Sequence, residues 1–195
     1  MTGSMTLSTE DNPILQYWQM IESGQVTVCE KIRKVYQKLV EDLRAADSEW
    51  VYDGARAEHA ITFIERYCKH SKGAMGGMPF ILEPWQRAMT AALFGFVSRE
   101  DGMRKYREFI LIVARKNGKS AWASAVGNYM LFADGESGPE IVSAATKRDQ
   151  AKIIWNEAKK MVKKSPALSR RSKCLVGEIV TDFNEGSFKC TLQPD

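Results

Sequence analysis

Residues 107–120 read R-E-F-I-L-I-V-A-R-K-N-G-K-S, and this stretch decides the fold class. Its first half, residues 107–114, is a short apolar run rich in β-branched side chains, which predicts a strand buried on both faces of a parallel sheet. A polar loop follows, and residues 121–132 then carry the apolar pattern of a helix. Strand, loop and helix in direct succession predict an α/β protein.

The loop at residues 114–120 has the composition of a phosphate-binding loop. Backbone N–H groups of such a loop, and of the helix that follows it, present positive potential to phosphate oxygens. Lys119 is placed to reach the β- and γ-phosphates of a nucleotide, and Ser120 to offer its hydroxyl to Mg²⁺. The full pattern G-x-x-x-x-G-K-[ST] requires a glycine where this chain has Val113, so the match is to a degenerate form. The alternative interpretation is a strand-to-helix turn with a surface lysine.

A second strand and helix follow along the chain. Residues 140–145 form another short apolar segment, and residues 147–164 carry an amphipathic helical stripe. Thr146 is placed as the N-cap of this helix, with Asp149 three residues later. The order strand, helix, strand, helix indicates a crossover unit of a parallel sheet. Further short strands are predicted at residues 174–177, 178–183 and 187–192.

The first part of the chain has a different character. Three amphipathic helices are predicted between residues 12 and 71, and Pro84 suits the first turn of a fourth. Residues 71–79 (S-K-G-A-M-G-G-M-P) carry three glycines and a proline, which indicates a flexible connection. The sequence therefore predicts a helical N-terminal region at residues 1–78 and the first part of an α/β domain at residues 79–195.

Length and hydropathy exclude a membrane-spanning or secreted protein. The longest apolar run, residues 109–114, is far short of the roughly 20 residues that span a membrane. Residues 1–13 are polar and include Glu10 and Asp11, where a signal peptide has a basic segment and then an apolar one. We therefore expect a cytoplasmic protein.

Cysteine and histidine positions predict neither disulfides nor a metal site. The four cysteines are widely spaced and form no C-x-x-C pair. His59 and His70 flank Cys68, but their spacing fits no zinc pattern.

The positive charge of the chain is local. Residues 159–173 contain seven Lys and Arg residues and no acidic residue; subtracting these seven from the net charge of +4 leaves −3 for the rest. Such a run is typical of a surface that meets the phosphate backbone of DNA. A solvated helix end is the alternative, since lysines near a helix C-terminus are favoured by the helix dipole.

A second candidate site lies about 30 residues before the loop, in F-I-L-E-P-W-Q at residues 80–86. The ring of Trp85 can stack on a flat base, and the amide of Gln86 offers both a donor and an acceptor to the adenine edge. Packing of Trp85 in the protein core is the simpler alternative.

Taken together, these motifs resemble the large subunit of tailed-bacteriophage terminases. The resemblance extends over most of the chain: I-E-S-G at residues 21–24, F-I-E-R-Y-C-K-H-S at 63–71, L-E-P-W-Q at 82–86, V-A-R-K-N-G-K-S at 113–120 and S-A-A-T-K-R-D-Q-A at 143–151. It implies a P-loop NTPase fold, a three-layer sandwich whose parallel sheet is incomplete here, with a helical N-terminal extension.

The resemblance also implies roles for individual residues. Arg115 would contact the γ-phosphate or trigger hydrolysis, with Lys119 as its catalytic partner on the phosphates. Ser120 would hold Mg²⁺ through the nucleotide, and Trp85 and Gln86 would contact adenine. The remaining implied nucleotide contacts in the loop are Lys116, Asn117 and Gly118. The segment from Thr146 to Gln150 would couple the nucleotide state to DNA.

At the level of the whole protein, the resemblance implies ATP-driven packaging of double-stranded DNA into a procapsid. The implied cofactors are ATP and Mg²⁺, and the implied partners are DNA, the portal protein and the small terminase subunit. A homo-oligomeric ring on the portal, in the bacterial host cytoplasm, is expected, with DNA cleavage by a separate nuclease domain.

The acidic Mg²⁺ motif of a P-loop ATPase is not evident. Such an enzyme needs a strand that ends in an acid. Asp134 lies on the predicted helix that leaves the loop, and the segment 178–182 is interrupted by Thr181 before Asp182. We therefore expect an N-terminal piece of a terminase large subunit that binds nucleotide weakly and does not hydrolyse it.

Two other functions are compatible with the same residues. A fragment of a helicase-like ATPase would share the loop and the adenine-reading glutamine, and a downstream Asp-Glu-x-His or Asp-Glu-Ala-Asp motif would favour it. A non-catalytic DNA-binding or adaptor module would use the loop only for a backbone phosphate. Binding of DNA that ignores ATP and the change Lys119→Ala would favour the module.

Overall fold

A computed structural model of the chain describes residues 12–192. In chain order the helices and strands are α1 (Pro13–Glu22), α2 (Glu30–Arg44), β1 (Trp50–Tyr52), α3 (Gly54–Tyr67), α4 (Pro84–Gly95), β2 (Phe96–Ser98), α5 (Lys119–Phe132), β3 (Glu140–Ala145), α6 (Arg148–Lys164), α7 (Pro166–Ser169), β4 (Lys173–Cys174), β5 (Glu178–Thr181) and β6 (Gly186–Leu192). The protein is therefore of mixed α/β class, as the sequence predicted.

Contacts divide the described chain into two units. Unit 1 comprises residues 12–61 and 82–110, and unit 2 comprises residues 62–81 and 111–192. Each unit is thus built from two segments of the chain. The division expected at residue 78 was read from composition, and as a boundary between domains it stays a prediction.

Unit 1 is mainly helical. Asn12 caps α1, because its Oδ1 accepts the backbone N–H of Ile14 at 2.9 Å. The edge-to-face rings of Tyr17 and Tyr36, with centroids 4.9 Å apart, join α1 to α2. The stripe predicted for α2 is buried only in its second half, since Val35 is 52% exposed.

A two-stranded antiparallel ribbon, β1 with β2, completes unit 1 and was not predicted. Tyr52 pairs with Phe96 in this ribbon, and the Tyr52 ring lies across Gly95. A Cβ at Gly95 would stand 2.5 Å from that ring, so the close approach requires a glycine.

Unit 2 contains a four-stranded sheet in the order β3-β6-β5-β4. Strands β3 and β6 are parallel, and the remaining pairs are antiparallel. Strand β3 has the predicted bounds, and β5 and β6 lie within or overlap their predicted segments, whereas β4 shares only Cys174 with the strand predicted at residues 174–177. The connection from β3 to β6 passes through α6, as expected for a crossover between parallel strands.

Helices α5 and α6 cover one face of this sheet. Ile141 and Ser143 of β3 point to that face, where Ile141 contacts α5 and the Ser143 hydroxyl donates to the carbonyl of Ala151 in α6 at 2.8 Å. Val142, which alternates with them, is 55% exposed. In unit 2, these two helices therefore form a layer on one face of the sheet.

The strand predicted at residues 107–114 is not formed, which corrects the sequence analysis. The segment belongs to no ladder, and Ile110 and Ile112 are 84% and 93% exposed. A strand exists only where a neighbour accepts its hydrogen bonds. Within residues 12–192, no strand pairs with this segment, and Ile110 and Ile112 remain in solvent.

Candidate functional site: a loop at the edge of the sheet in unit 2

The loop predicted to bind phosphate leads directly into α5. Gly118 is the N-cap of this helix, in the left-handed conformation at φ 72° and ψ 4°. Lys116 also has a positive φ, 71°, which is uncommon for a residue with a side chain and costs on the order of 1 kcal/mol. Turns of this kind direct successive backbone N–H groups into a concave anion site. The predicted phosphate loop thus has a backbone suited to an anion.

The cations of the loop carry no counter-charge from the described part of the protein. Arg115 and Lys116 are exposed and Lys119 is half-buried, and none of the three forms an ion pair with a residue in the range 12–192. The side chain of Asn117 donates to the carbonyl of Ala114 at 3.4 Å, across the loop. Ser120, the second residue of α5, is half-buried. The loop therefore gathers positive charge that is available to an external anion.

Helices α5 and α6 run in the same direction side by side. The Ser124 hydroxyl lies 2.8 Å from the carbonyl of Ile154, and one turn later the Asn128 amide donates to the carbonyl of Ala158 at 3.3 Å. In both pairs, the residue of α6 follows the residue of α5 by thirty positions in the sequence. The N-termini of both helices consequently lie at the same edge of unit 2.

Both helices run opposite to the parallel strands. Gly127 of α5 faces Phe188, and Leu131, one turn later, faces Gly186 at the beginning of β6. The N-terminus of α5 therefore lies where β3 and β6 end. Ligands of α/β proteins bind at this edge, outside the carboxyl ends of the parallel strands.

The predicted coupling residues lie at this edge too. Thr146 follows β3 directly, Gln150 is in the first turn of α6, and both are exposed. The prediction that Thr146 caps α6 is wrong, because the cap is Lys147, in an extended conformation and without a side-chain capping bond. The ladder with β6 keeps the chain extended through Ala145, so the helix begins one residue too late for Thr146 to cap it.

Trp85 and Gln86 lie in unit 1, in the first turn of α4. Gln86 is buried, and its Oε1 accepts the backbone N–H of Glu83 at 3.0 Å in a capping box. Trp85 is half-buried. The Oε1 atom of Gln86 thus already accepts one hydrogen bond from within the protein. Contacts of Trp85 and Gln86 with a base stay a prediction.

Neither acidic residue weighed as a Mg²⁺ ligand lies at the loop edge. Asp134 follows the last turn of α5, about 20 Å along the helix from Lys119. Asp182 follows β5, which is antiparallel to β6, and its carboxylate pairs with Lys173 at 2.9 Å. Both carboxylates therefore lie toward the edge where α5 ends.

Some residues at this site were missed by the sequence reasoning. Asp149 is an exposed carboxylate in the first turn of α6, at the loop edge. Ser124 and Asn128 hold α5 against α6, and Ser124 also lies 2.7 Å from the carbonyl of Ser120. A signal was present, since small polar residues four apart on an otherwise apolar helix mark a face packed on another helix.

The described residues offer neither a metal centre of clustered side chains nor a membrane-spanning helix. No cluster of three or more His, Cys, Asp or Glu side chains able to hold a metal ion is present among residues 12–192. No helix in the same part of the chain is long and apolar enough to cross a membrane.

Comparisons with known proteins agree on one family. The family model described as terminase large subunit, ATPase domain, matches residues 84–195. The terminase large subunit of Enterobacteria phage HK97 is 35% identical over 114 residues, which cover 58% of this chain and 21% of that protein. The crystal structure of the HK97 bacteriophage large terminase superposes with a TM-score of 0.59 at 27% identity, and the match covers 70% of this chain and 27% of that one.

The chain thus spans between a fifth and a third of the length of these relatives. The family model includes the loop, both parallel strands and the helices between them. The resemblance predicted from the motifs is confirmed, and the chain belongs to the family of terminase large subunit ATPase domains.

Proposed function

We propose that this chain is part of the ATPase motor that drives double-stranded DNA into a bacteriophage procapsid. One observation carries the proposal: the loop before α5 combines two left-handed residues, unpaired cations and a helix N-terminus at the carboxyl edge of the parallel strands. This combination binds the phosphates of a nucleotide in P-loop proteins.

Each polar residue of the loop has a role in this proposal. Lys119 binds the β- and γ-phosphates, and the hydroxyl of Ser120 binds Mg²⁺. When bound, Mg²⁺ neutralises the charge that develops on the phosphates. Arg115 contacts the γ-phosphate, while Lys116, Asn117 and Gly118 contribute the backbone of the cradle.

The nucleotide state reaches DNA through α6 in this proposal. Thr146 and Gln150 lie at the loop edge, and the bonds of Ser124 and Asn128 hold α6 against α5. A displacement of the loop on hydrolysis would therefore be passed to α6 through two fixed points.

We further propose the three-layer P-loop sandwich as the fold of the longer protein. In it, residues 107–114 form the strand before the loop, paired with strands outside residues 12–192. The exposed apolar side chains of Ile110 and Ile112 support this assignment, because helices on both faces of a parallel sheet would bury them.

The remaining elements of the proposal rest on family membership. These are the portal protein and the small terminase subunit as partners, a homo-oligomeric ring, and a separate nuclease that cuts concatemeric DNA. Hydrolysis needs an acid beside the metal. We expect this chain to bind nucleotide without turning it over, since Asp134 and Asp182 both lie away from Ser120.

The proposal is tested by titrating the chain with a fluorescent ATP analogue in the presence of Mg²⁺. Charge-assisted hydrogen bonds contribute about 1.5–3 kcal/mol, so Lys119→Ala should weaken binding by roughly 10- to 100-fold. Lys152→Ala is the matched control, because Lys152 is a half-buried lysine of α6 outside the loop. Equal affinities of wild type and Lys119→Ala would refute the phosphate site and favour the non-catalytic module.

A further inference from the structure

The end of unit 2 opposite the loop carries an uncompensated positive surface. It consists of exposed cations from the last two turns of α6, from the residues after α7 and from one loop. We call these six residues the basic surface: Lys72, Lys160, Lys163, Lys164, Arg170 and Arg171. Among the described residues, no acidic side chain forms an ion pair with any of them. The surface is therefore a cluster of six free charges.

A contact places two of these cations together, and the path of the chain brings the others to the same end of unit 2. The Lys164 Nζ and the backbone of Lys72 both lie within 3.6 Å of the position that a Cβ on Gly76 would occupy. Lys160 is one turn before Lys164 on the same helix face. Short α7 follows α6 after one residue and leads into Arg170, whose N–H donates to the carbonyl of Pro166.

The acidic residue next to Phe183, over whose ring Arg171 lies, already has a partner. Arg171 lies over the ring of Phe183, 5.8 Å from its centroid, next to Asp182 in the chain. The Asp182 carboxylate pairs with Lys173 instead, at 2.9 Å. Arg171 therefore keeps its charge directed to solvent or to a partner.

The helix dipole explains only part of this surface. Lys163 and Lys164 are in the last turn of α6, where the dipole favours cations. Arg170, Arg171 and Lys72 lie beyond the last turn of α6, where the effect of its dipole falls off. Like charges three and four residues apart also repel one another by a few tenths of a kcal/mol. A surface that accepts this repulsion is suited to a polyanion.

We infer that the basic surface binds the phosphate backbone of double-stranded DNA. Binding here is independent of base sequence, since lysines and arginines contact phosphates as charges. The surface lies about 25 Å from the phosphate loop, the length of α6, so it forms a second anion site distinct from the nucleotide site. The choice of DNA as the polymer rests on the proposed function.

The test is fluorescence anisotropy of a labelled DNA duplex of random sequence titrated with the whole chain. The variant Lys160→Gln, Lys163→Gln, Lys164→Gln removes three charges from the basic surface. The matched control Lys31→Gln, Arg33→Gln, Lys34→Gln removes three exposed charges from α2 in unit 1. Both are checked for folding by circular dichroism and thermal unfolding.

The expected effect follows from counterion release. Each phosphate contact contributes a slope of about −0.9 to log K against log salt, or about eightfold in affinity at 0.1 M salt. The triple variant should bind DNA between about 8- and 500-fold more weakly, with the slope flattened by about 1 to 3. The control should stay within about twofold of wild type.

Three results would overturn the inference. The first is an unchanged DNA affinity of the triple variant, and the second is an equal loss of affinity in the α2 control. The third is displacement of DNA by polyglutamate at equal charge concentration, which would assign the surface to an acidic protein. The nucleotide titration with Lys119→Ala is read separately. Its failure would remove the proposed motor function and leave the result on DNA standing.

Discussion

Helix α5 lies so close to the sheet that a single methyl group should disturb the site. Gly127 faces the ring of Phe188, and a Cβ at this position would stand 2.7 Å from Cε1 and 3.0 Å from Cζ. Ordinary carbon contacts are about 3.5–4.0 Å. The change Gly127→Ala therefore forces the helix and the sheet apart or displaces the ring.

The magnitude follows from two opposing effects. Alanine favours the helix by about 1 kcal/mol over glycine. Overpacking a rigid core costs about 1–3 kcal/mol, and Phe188 belongs at the upper end, because it is 1% exposed and its carbonyl accepts the indole N–H of Trp155 at 3.0 Å. We expect a net loss of about 2 kcal/mol in the free energy of unfolding, or about 4–8 °C in Tm.

Urea unfolding followed by tryptophan fluorescence measures this loss. Gly54→Ala is the matched control, since a Cβ there meets only the Tyr52 ring at 3.7 Å, an ordinary contact. Phe188→Leu should cost less in the Gly127→Ala background than alone, with a coupling of about 1 kcal/mol. A Gly127→Ala chain as stable as wild type would refute the reasoning.

Three other predictions concern single side chains. Asn12→Ala removes the cap of α1 and should cost about 1 kcal/mol in urea unfolding, which Asn12→Ser restores; no loss would contradict the cap. Burial opposes the charge of Asp42, but its bonds with Lys105 prevail and lower its pKa, so this stabilisation is present above about pH 4 and lost as the pH falls through the folded pKa. Asp42→Asn should therefore lower Tm at pH 7 and not at about pH 2, and a difference that persists in acid would contradict the pair. Burial raises the pKa of Cys68 to about 12, so a thiol reagent at pH 8 should label exposed Cys29 in the native chain and Cys68 only after denaturation.

The predictions from sequence succeeded where the signal was local. Helix α6 and strand β3 were found because each carries its own periodicity. A loop that leads into a helix was expected at residues 114–120 and precedes α5, while its binding of phosphate stays a prediction. Its left-handed Lys116 could not be predicted, since nothing in a lysine favours a positive φ.

The failures involve partners that are distant in sequence. Residues 107–114 have the composition of a strand, but a strand depends on ladder neighbours that composition does not reveal. Strands β1 and β2 have three residues each and pair across more than forty residues, with α3 and α4 between them. One local feature was missed as well, because the capping box of Glu83 and Gln86 at the start of α4 was not predicted; base contacts by Gln86 stay a prediction.

The parallel pairing of β3 with β6 has a consequence for how the chain folds. Ser187 pairs with Glu140, forty-seven residues earlier, whereas β4, β5 and β6 join through short turns. Contacts between distant residues form slowly, because the intervening loop must first lose its freedom. During synthesis β3 and α6 leave the ribosome well before β6, with their apolar faces uncovered. Until β6 is made, this partly formed sheet exposes apolar surface that is prone to aggregation, and chaperones are most useful at that point.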